Sequence, residues 1–193
     1  MMRIVGGKFK GHSIAPPHGA ATRPTTDRVR ESVFNILAHG IDGLSLEGAR
    51  VLDLFAGTGA MGLEAVSRGA RFCQFVEESA EARGLIRKNA DALGVIGLVK
   101  IWRRDATDLG SCNPQPRFDL VFADPPYGKG LGEKALTSLV TGDWLNPGGI
   151  VVLEESQKAE VKDIAGLSLI DQRDYGDTRI RFYRGGQRED QEA

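Results

Sequence analysis

From Arg50 onward the chain alternates short apolar runs with stretches whose apolar residues recur at helical spacing. The runs Arg50–Leu54, Phe72–Val76, Val99–Trp102, Phe118–Ala123 and 150–153 predict buried strands. Residues 61–68, 80–93 and 133–140 predict helices, with Gly69 and Gly94 where helix C-caps belong. Strand and helix in alternation imply an α/β fold with a mostly parallel sheet covered on both faces. Upstream, Thr26 can N-cap a helix over 27–38, whose Val29, Val33, Ile36 and Leu37 share one face. Residues 3–9 and 12–15 predict a short hairpin around Lys10-Gly11, followed by a polar loop over 16–26. Segments 167–174 and 178–184 flank Tyr175-Gly176-Asp177 and predict an antiparallel hairpin, with Ile180 and Phe182 inward and Arg179 and Arg181 outward. The expected organisation is a hairpin extension over 1–21, a main domain over 22–185 and a polar, disordered tail over 186–193.

A chain of 193 residues suggests one domain, long enough to bury about 70% of its unfolded surface without a disulfide or metal. No apolar run approaches the ~20 residues of a membrane span, and the N-terminus carries no apolar signal segment. Cys73 and Cys112 are the only cysteines and neither lies in a CxxC pair, which points to a reducing, cytoplasmic setting. His12, His18 and His39 are not spaced as metal ligands, so no metal site is expected.

The net charge of −1 conceals an asymmetry. The first 30 residues hold Arg3, Lys8, Lys10, Arg23, Arg28 and Arg30 against Asp27 alone, whereas the remainder holds 19 bases and 25 acids. A basic arm on an acidic body suits a polyanion, and the six bases are candidate phosphate contacts. A solvated hairpin accounts for the same charges.

In an open α/β sheet, ligands bind beyond the carboxyl ends of the strands. After the first of these strands comes Asp53-Leu54-Phe55-Ala56-Gly57-Thr58-Gly59-Ala60-Met61-Gly62. Gly57, Gly59 and Gly62 match G-x-G-x-x-G, the dinucleotide fingerprint, so a nucleotide-dependent oxidoreductase has to be considered. Asp53 argues against it, because a carboxylate at the entrance to the loop repels a pyrophosphate. It suits a cationic, phosphate-free ligand such as S-adenosylmethionine. After the second strand comes Glu77, 18 residues beyond Gly59, where an acid can take the ribose hydroxyls of an adenosine. Asp105-Ala106 follows the third strand, and Asp105 can accept from an adenine amine.

The fourth strand ends in Asp124-Pro125-Pro126-Tyr127. Consecutive prolines stop the strand, remove two N–H donors and hold Asp124 extended. The result is a rigid corner carrying a carboxylate, a carbonyl and an aromatic ring. It can accept both hydrogens of a planar amine while the ring stacks on the plane bearing it. A strand-terminating turn has the same residues. The three preceding acidic strand ends favour the amine clamp, because together they supply a cationic methyl donor.

These features resemble class I S-adenosylmethionine-dependent methyltransferases that act on exocyclic or amide nitrogens. Thr22-Arg23-Pro24-Thr25-Thr26-Asp27-Arg28-Val29-Arg30-Glu31-Ser32-Val33-Phe34-Asn35-Ile36-Leu37, with the opening Arg3-Ile4-Val5-Gly6-Gly7-Lys8, is similar to the RsmD family, bacterial 16S rRNA guanine-N2 methyltransferases. The resemblance covers all but about the last ten residues. It implies a Rossmann-like seven-stranded, mostly parallel sheet with an antiparallel C-terminal hairpin and a small N-terminal β-hairpin. It implies cofactor contacts at Asp53, Ala56, Gly57, Thr58, Gly59, Glu77, Asp105, Ala106 and Asp124. Relatives often carry Asp two residues after Glu77, where this chain has Ser79, which reads as a helix N-cap. The implied partner is 16S rRNA, within the 30S subunit or an assembly intermediate, and the implied state is a monomer.

On this reading Asp124 and Pro125 hold the amine and Tyr127 stacks on a base flipped from its helix. Arg23 and Arg28 can contact RNA or close over the cofactor. The motif alone also permits N6-adenine or N4-cytosine methylation. An RNA-binding assembly factor without catalysis is a further alternative, and a protein-glutamine methyltransferase is disfavoured by Asp rather than Asn at the head of the motif.

Overall fold

A computed structural model of the chain describes residues 2–17 and 26–186. Five strands, β3 (Arg50–Leu54), β4 (Phe72–Val76), β5 (Val99–Trp102), β6 (Phe118–Ala123) and β7 (Leu145–Ser156), run parallel. A C-terminal hairpin of β8 (Leu167–Tyr175) and β9 (Thr178–Gly185) completes the sheet, with β9 antiparallel to both neighbours. The order is β5-β4-β3-β6-β7-β9-β8, the seven-stranded arrangement expected. A separate two-stranded sheet pairs β1 (Met2–Arg3) with β2 (Ser13–Ile14).

Two cores follow from the alternation of strand residues. Val51, Phe75, Phe122, Val152 and Phe182 pack beneath α1 (Asp27–His39), α2 (Ala60–Ser67) and α3 (Ala80–Ala92). Leu52, Leu54, Val121, Leu153 and Tyr183 pack on the opposite face against α4 (Leu131–Thr141) and Trp144. With both faces covered, apolar residues dominate both sides of the central strands, and Asp53 and Gln74 are buried among them. The expectation that Arg181 faces outward fails for this reason. Its alternate face is not solvent, and Arg181 is 7% exposed, donating to the Ala159 carbonyl at 3.2 Å.

The N-terminal hairpin is shorter than its apolar pattern predicts. Gly7, at φ +74, lies so near α2 that an added Cβ would stand 2.0 Å from the Ser67 carbonyl oxygen. Ile4 still bonds across the hairpin, its amide donating to the His12 carbonyl (3.0 Å) and its carbonyl accepting the Gly11 amide (2.9 Å), but beyond it the loop turns to α2. The Lys8 amide donates to the Ser67 carbonyl (2.7 Å), the Phe9 amide to Ser67 Oγ (2.9 Å) and the Val5 amide to Glu64 Oε2 (2.8 Å). Met2, Ile4 and Ile14 enter the core beneath α1–α3.

β7 also runs longer than expected. Its first residue, Leu145, pairs with Phe118 across an irregularity, and Glu154–Ser156 stay in register with β9, from Glu154↔Ile180 to Ser156↔Thr178. Its polar end is held by an antiparallel partner, which hydrophobicity does not report. α2 and α4 begin before their apolar patterns, because Gly59 (φ +77) and Gly130 (φ +64) supply left-handed N-caps. No described helix is long and apolar enough to cross a membrane.

Candidate active site

From β3 the chain proceeds to β4 and β5 on one side, and from β6 to β7 on the other. The crevice of this open sheet therefore opens at the carboxyl ends of β3 and β6. Leu54 pairs with Ala123, which sets the glycine loop beside the Asp-Pro-Pro-Tyr corner. Asp53 pairs with Phe122, and alternation puts Asp124 on the same face as both, the face beneath α1–α3. Two carboxylates from adjoining strands thus share one side of the crevice.

The glycine loop turns through left-handed backbone at Phe55 (φ +56), Gly57 (φ +54) and Gly59 (φ +77). The Gly57 amide donates to Glu77 Oε2 at 2.9 Å, and the Ser79 amide to Glu77 Oε1 at 2.8 Å. Ser79 Oγ accepts from the Ala82 amide, the N-cap role expected of it. The Gly62 amide donates to Asp53 Oδ2 at 2.9 Å. Gly62 permits close packing of helix on strand: an added Cβ would meet Phe75 at 2.4 Å and Cys73 at 2.5 Å. Burial pushes the Asp53 carboxyl up to about 8, against the Gly62 hydrogen bond and with repulsion from Glu77. Ala56, Thr58 and Ala106 are buried. Asp105 is exposed, and its carboxyl is held low by the Thr107 hydroxyl and amide, which donate to Oδ1 at 2.7 and 2.8 Å.

At the corner, Pro125 is buried and Tyr127 is 40% exposed. The Tyr127 hydroxyl donates to Glu154 Oε1 at 2.7 Å and lies 2.8 Å from Thr178 Oγ1. Glu155, buried, accepts the Gly128 amide at 3.1 Å and the Ser156 amide at 2.7 Å, tying down the loop that leaves the corner. Burial, then the charges of Glu154, Asp53 and Glu155, pushes the Asp124 carboxyl well above the usual range. Burial and the neighbouring Glu154 also raise the Tyr127 phenol, against its Thr178 hydrogen bond.

Four residues here were not singled out from the sequence. Glu154 and Glu155 end β7 as acids end the four preceding strands, so the strand-end rule carried one strand further finds them. Asn89 lies on the buried face of α3 beside Ile86 and Ala90, a polar residue at an apolar spacing. It donates to the Thr58 carbonyl (3.0 Å) and accepts the Ala15 amide (2.8 Å), joining the glycine loop to the N-terminal segment. Thr178 gives no sequence signal.

Among the candidate phosphate contacts, Arg3, Lys8, Lys10 and Arg28 are exposed, with Arg3 3.5 Å from Asp27. Arg23 and His18 lie outside the described residues. Arg30 is not available to a phosphate, which corrects the sequence expectation. It is 0% exposed, bonded to Asp27 at 2.8 Å and to the Arg3 carbonyl, and 3.6 Å from the buried Glu64. The inner face of α1 is Arg30, Val33, Phe34 and Leu37, rotated from the expected Val29, Val33, Ile36 and Leu37. Among the described residues, no cluster of His, Cys, Asp and Glu is placed to hold a metal ion.

A central parallel sheet in this order, a glycine loop after its first strand and an acid after its second define the Rossmann-like class I methyltransferase fold, and the chain is a methyltransferase of this class. The model of the family described as "Conserved hypothetical protein 95" matches residues 2–184. The chain belongs to that family, which is the RsmD family its motifs resemble. The ribosomal RNA small subunit methyltransferase D of Escherichia coli K12 is 34% identical over 184 residues, 95% of this chain and 89% of its own. The tRNA (guanine(6)-N2)-methyltransferase of Thermus thermophilus is 33% identical over 145 residues, 69% of this chain and 42% of its own. The solved structure of yhhF from Escherichia coli is 31% identical at TM-score 0.82, covering 97% of this chain and 99% of its own. A Thiobacillus denitrificans S-adenosylmethionine-dependent methyltransferase, solved with S-adenosyl-L-homocysteine, is 25% identical at TM-score 0.57, covering 72% of this chain and 53% of its own.

Proposed function

We propose that this chain methylates the exocyclic N2 amine of a guanine in small-subunit ribosomal RNA, with S-adenosylmethionine as donor. The observation that carries this reading is the Asp124-Pro125 corner lying beside the glycine loop, with Asp124 and Asp53 on one face of adjoining strands. The relatives named above support the RNA and the N2 position.

The donor set fits the cofactor. Asp53 and Glu77 offer carboxylates to an ammonium and to ribose hydroxyls, the loop 55–59 carries no base to clamp a phosphate, and Asp105 and Ala106 border the adenine side. A Cβ built on Gly57 would meet nothing nearer than the Phe55 carbonyl oxygen at 3.9 Å, so the loop leaves room for close approach. When bound, S-adenosylmethionine supplies an electrophilic methyl group on a sulfonium.

The corner supplies the geometry at the acceptor. The Asp124 carboxyl and the Pro125 carbonyl accept the two amine hydrogens, which favours rehybridisation at nitrogen and aims its lone pair. A carboxyl that keeps its proton still offers a carbonyl oxygen, so Asp124 works as an acceptor and not as a strong base; the methylated nitrogen is acidic and would shed its proton to water as the carbon–sulfur bond gives way to carbon–nitrogen. Tyr127 stacks on the flipped base, worth about 1–3 kcal/mol. The arm over 1–21 anchors the RNA of a 30S subunit or assembly intermediate, and one copy of the chain suffices.

The test is transfer of labelled methyl to 30S particles and to naked 16S RNA. Label in small-subunit RNA is expected, and no label in either substrate overturns the reading.

Asp53 gives a pH signature. Its raised pKa keeps a proton on the ligand-free protein between the unfolded value near 4 and about 8, so free-protein stability falls as pH rises through that window. An ammonium held against it favours the carboxylate and expels the proton. Near about pH 6.5, binding should release close to one proton, and affinity should rise about tenfold per unit from about pH 5.5 to 7. Calorimetry in buffers of different ionisation enthalpy reads both. A flat affinity without proton release contradicts the assignment.

Lys8 and Lys10 are the exposed bases of the hairpin loop. Replacing both with alanine should weaken RNA binding and lower the slope of log affinity against log salt by about one to two. A salt titration showing an unchanged slope removes the hairpin as the anchor.

A further inference from the structure

Glu154 stands next to the corner in a way that bears on which base is accepted. Leu153 pairs with Ala123, so one residue further along the parallel strands Glu154 flanks Asp124. Alternation from Val152 and Phe122 puts both carboxylates on the same face. The Tyr127 hydroxyl donates to Glu154 Oε1 at 2.7 Å, which ties the carboxylate to the corner, and Thr178 Oγ1 of β9 holds that hydroxyl at 2.8 Å.

Guanine carries a donor, N1–H, on the ring atom next to the carbon bearing its amine. Adenine and cytosine carry an acceptor lone pair in the equivalent place, N1 and N3. A carboxylate beside an amine clamp therefore attracts guanine and repels the other two amino bases. We infer that Glu154 is the specificity-determining residue, accepting guanine N1–H while Asp124 and Pro125 hold N2. The inference rests on the guanine-N2 reading and deepens it. It also explains why an acid remains next to Asp124 although the two repel: Glu154 is the foremost charge raising the Asp124 carboxyl. A site built to bond a substrate N–H strongly rejects the analogue that lacks it, because its own polar group is left unpaired.

The discriminating substrate is 2-aminopurine, which keeps the 2-amine and has a bare lone pair at N1. With the target position mapped, 16S RNA carrying guanine or 2-aminopurine there is reconstituted into 30S particles and kcat/KM is measured for each. The wild-type protein should prefer guanine by about 10³-fold or more. Glu154→Gln, whose amide can donate to a bare N1, should shrink that preference to about tenfold or less. An unchanged ratio, or equal losses on both substrates as from a residue that only holds Tyr127, overturns the inference. So does a wild-type preference below about tenfold, a result independent of whether the variant folds. Nucleoside analysis of the wild-type product separates the two claims. Methyl found elsewhere than guanine N2 defeats the underlying reading, whereas N2-methylguanosine with an unmoved ratio defeats the role of Glu154 alone.

Discussion

Replacing Asp124 with alanine lowers kcat by about 10³-fold and leaves RNA affinity largely intact. The carboxyl sits at the end of β6, on the face it shares with Asp53, and alanine removes one of the two acceptors proposed to hold the amine. An aromatic amine has its lone pair delocalised into the ring, so losing an acceptor forfeits both aim and rehybridisation. Asp124→Asn separates the acceptor role from a base. Its amide keeps a carbonyl oxygen, so turnover should fall by only about tenfold. Single-turnover methylation of 30S particles measures both variants. Appreciable turnover by the alanine variant refutes the clamp. Equal collapse of the asparagine and alanine variants refutes the acceptor role in favour of a base.

Arg30→Ala destabilises the protein by about 3 kcal/mol or more and does not change the salt dependence of RNA binding. The guanidinium lies buried between Asp27 and Glu64, and Glu64 is itself fully buried. Removing the arginine leaves Glu64 with Arg68 and the Val5 amide as partners and opens a cavity beneath α1. Breaking a buried pair costs more than the pair contributes, because the remaining charge stays desolvated. Denaturant unfolding reads the stability and salt titration the second half. A change below about 1 kcal/mol, or a salt slope reduced by about one, contradicts the placement of Arg30.

The difference between Arg30 and Lys8 shows what a chain reveals of itself. All six bases of the arm look alike as charges. Arg30 recurs with Val33, Phe34 and Leu37 at helical spacing, but its partner Glu64 is 34 residues away, and nothing local announces the pair. β3, β4, β5 and β6 were legible to the residue, because apolar residues stand on both faces of each, although Asp53, Gln74, Lys100 and Asp119 interrupt them. The polar end of β7 was not, since its extended form comes from pairing with β9. The N-terminal hairpin was legible in kind but not in extent, because Gly6 and Gly7 dock on α2 and end the ladder early. The positions of Asp53, near the end of β3, and of Glu77, Asp105 and Asp124, after β4, β5 and β6, were legible because each belongs to the carboxyl edge of the sheet. Asn89, Glu155 and Thr178 act by holding other groups, and that role depends on contacts distant in sequence.

The corner is proposed to present a guanine amine for methylation. The most direct measurement is mass-spectrometric nucleoside analysis of small-subunit RNA after incubation with this protein and S-adenosylmethionine. N2-methylguanosine is expected as the sole new nucleoside. A methyl group on adenosine or cytidine, or at another atom of guanosine, contradicts it.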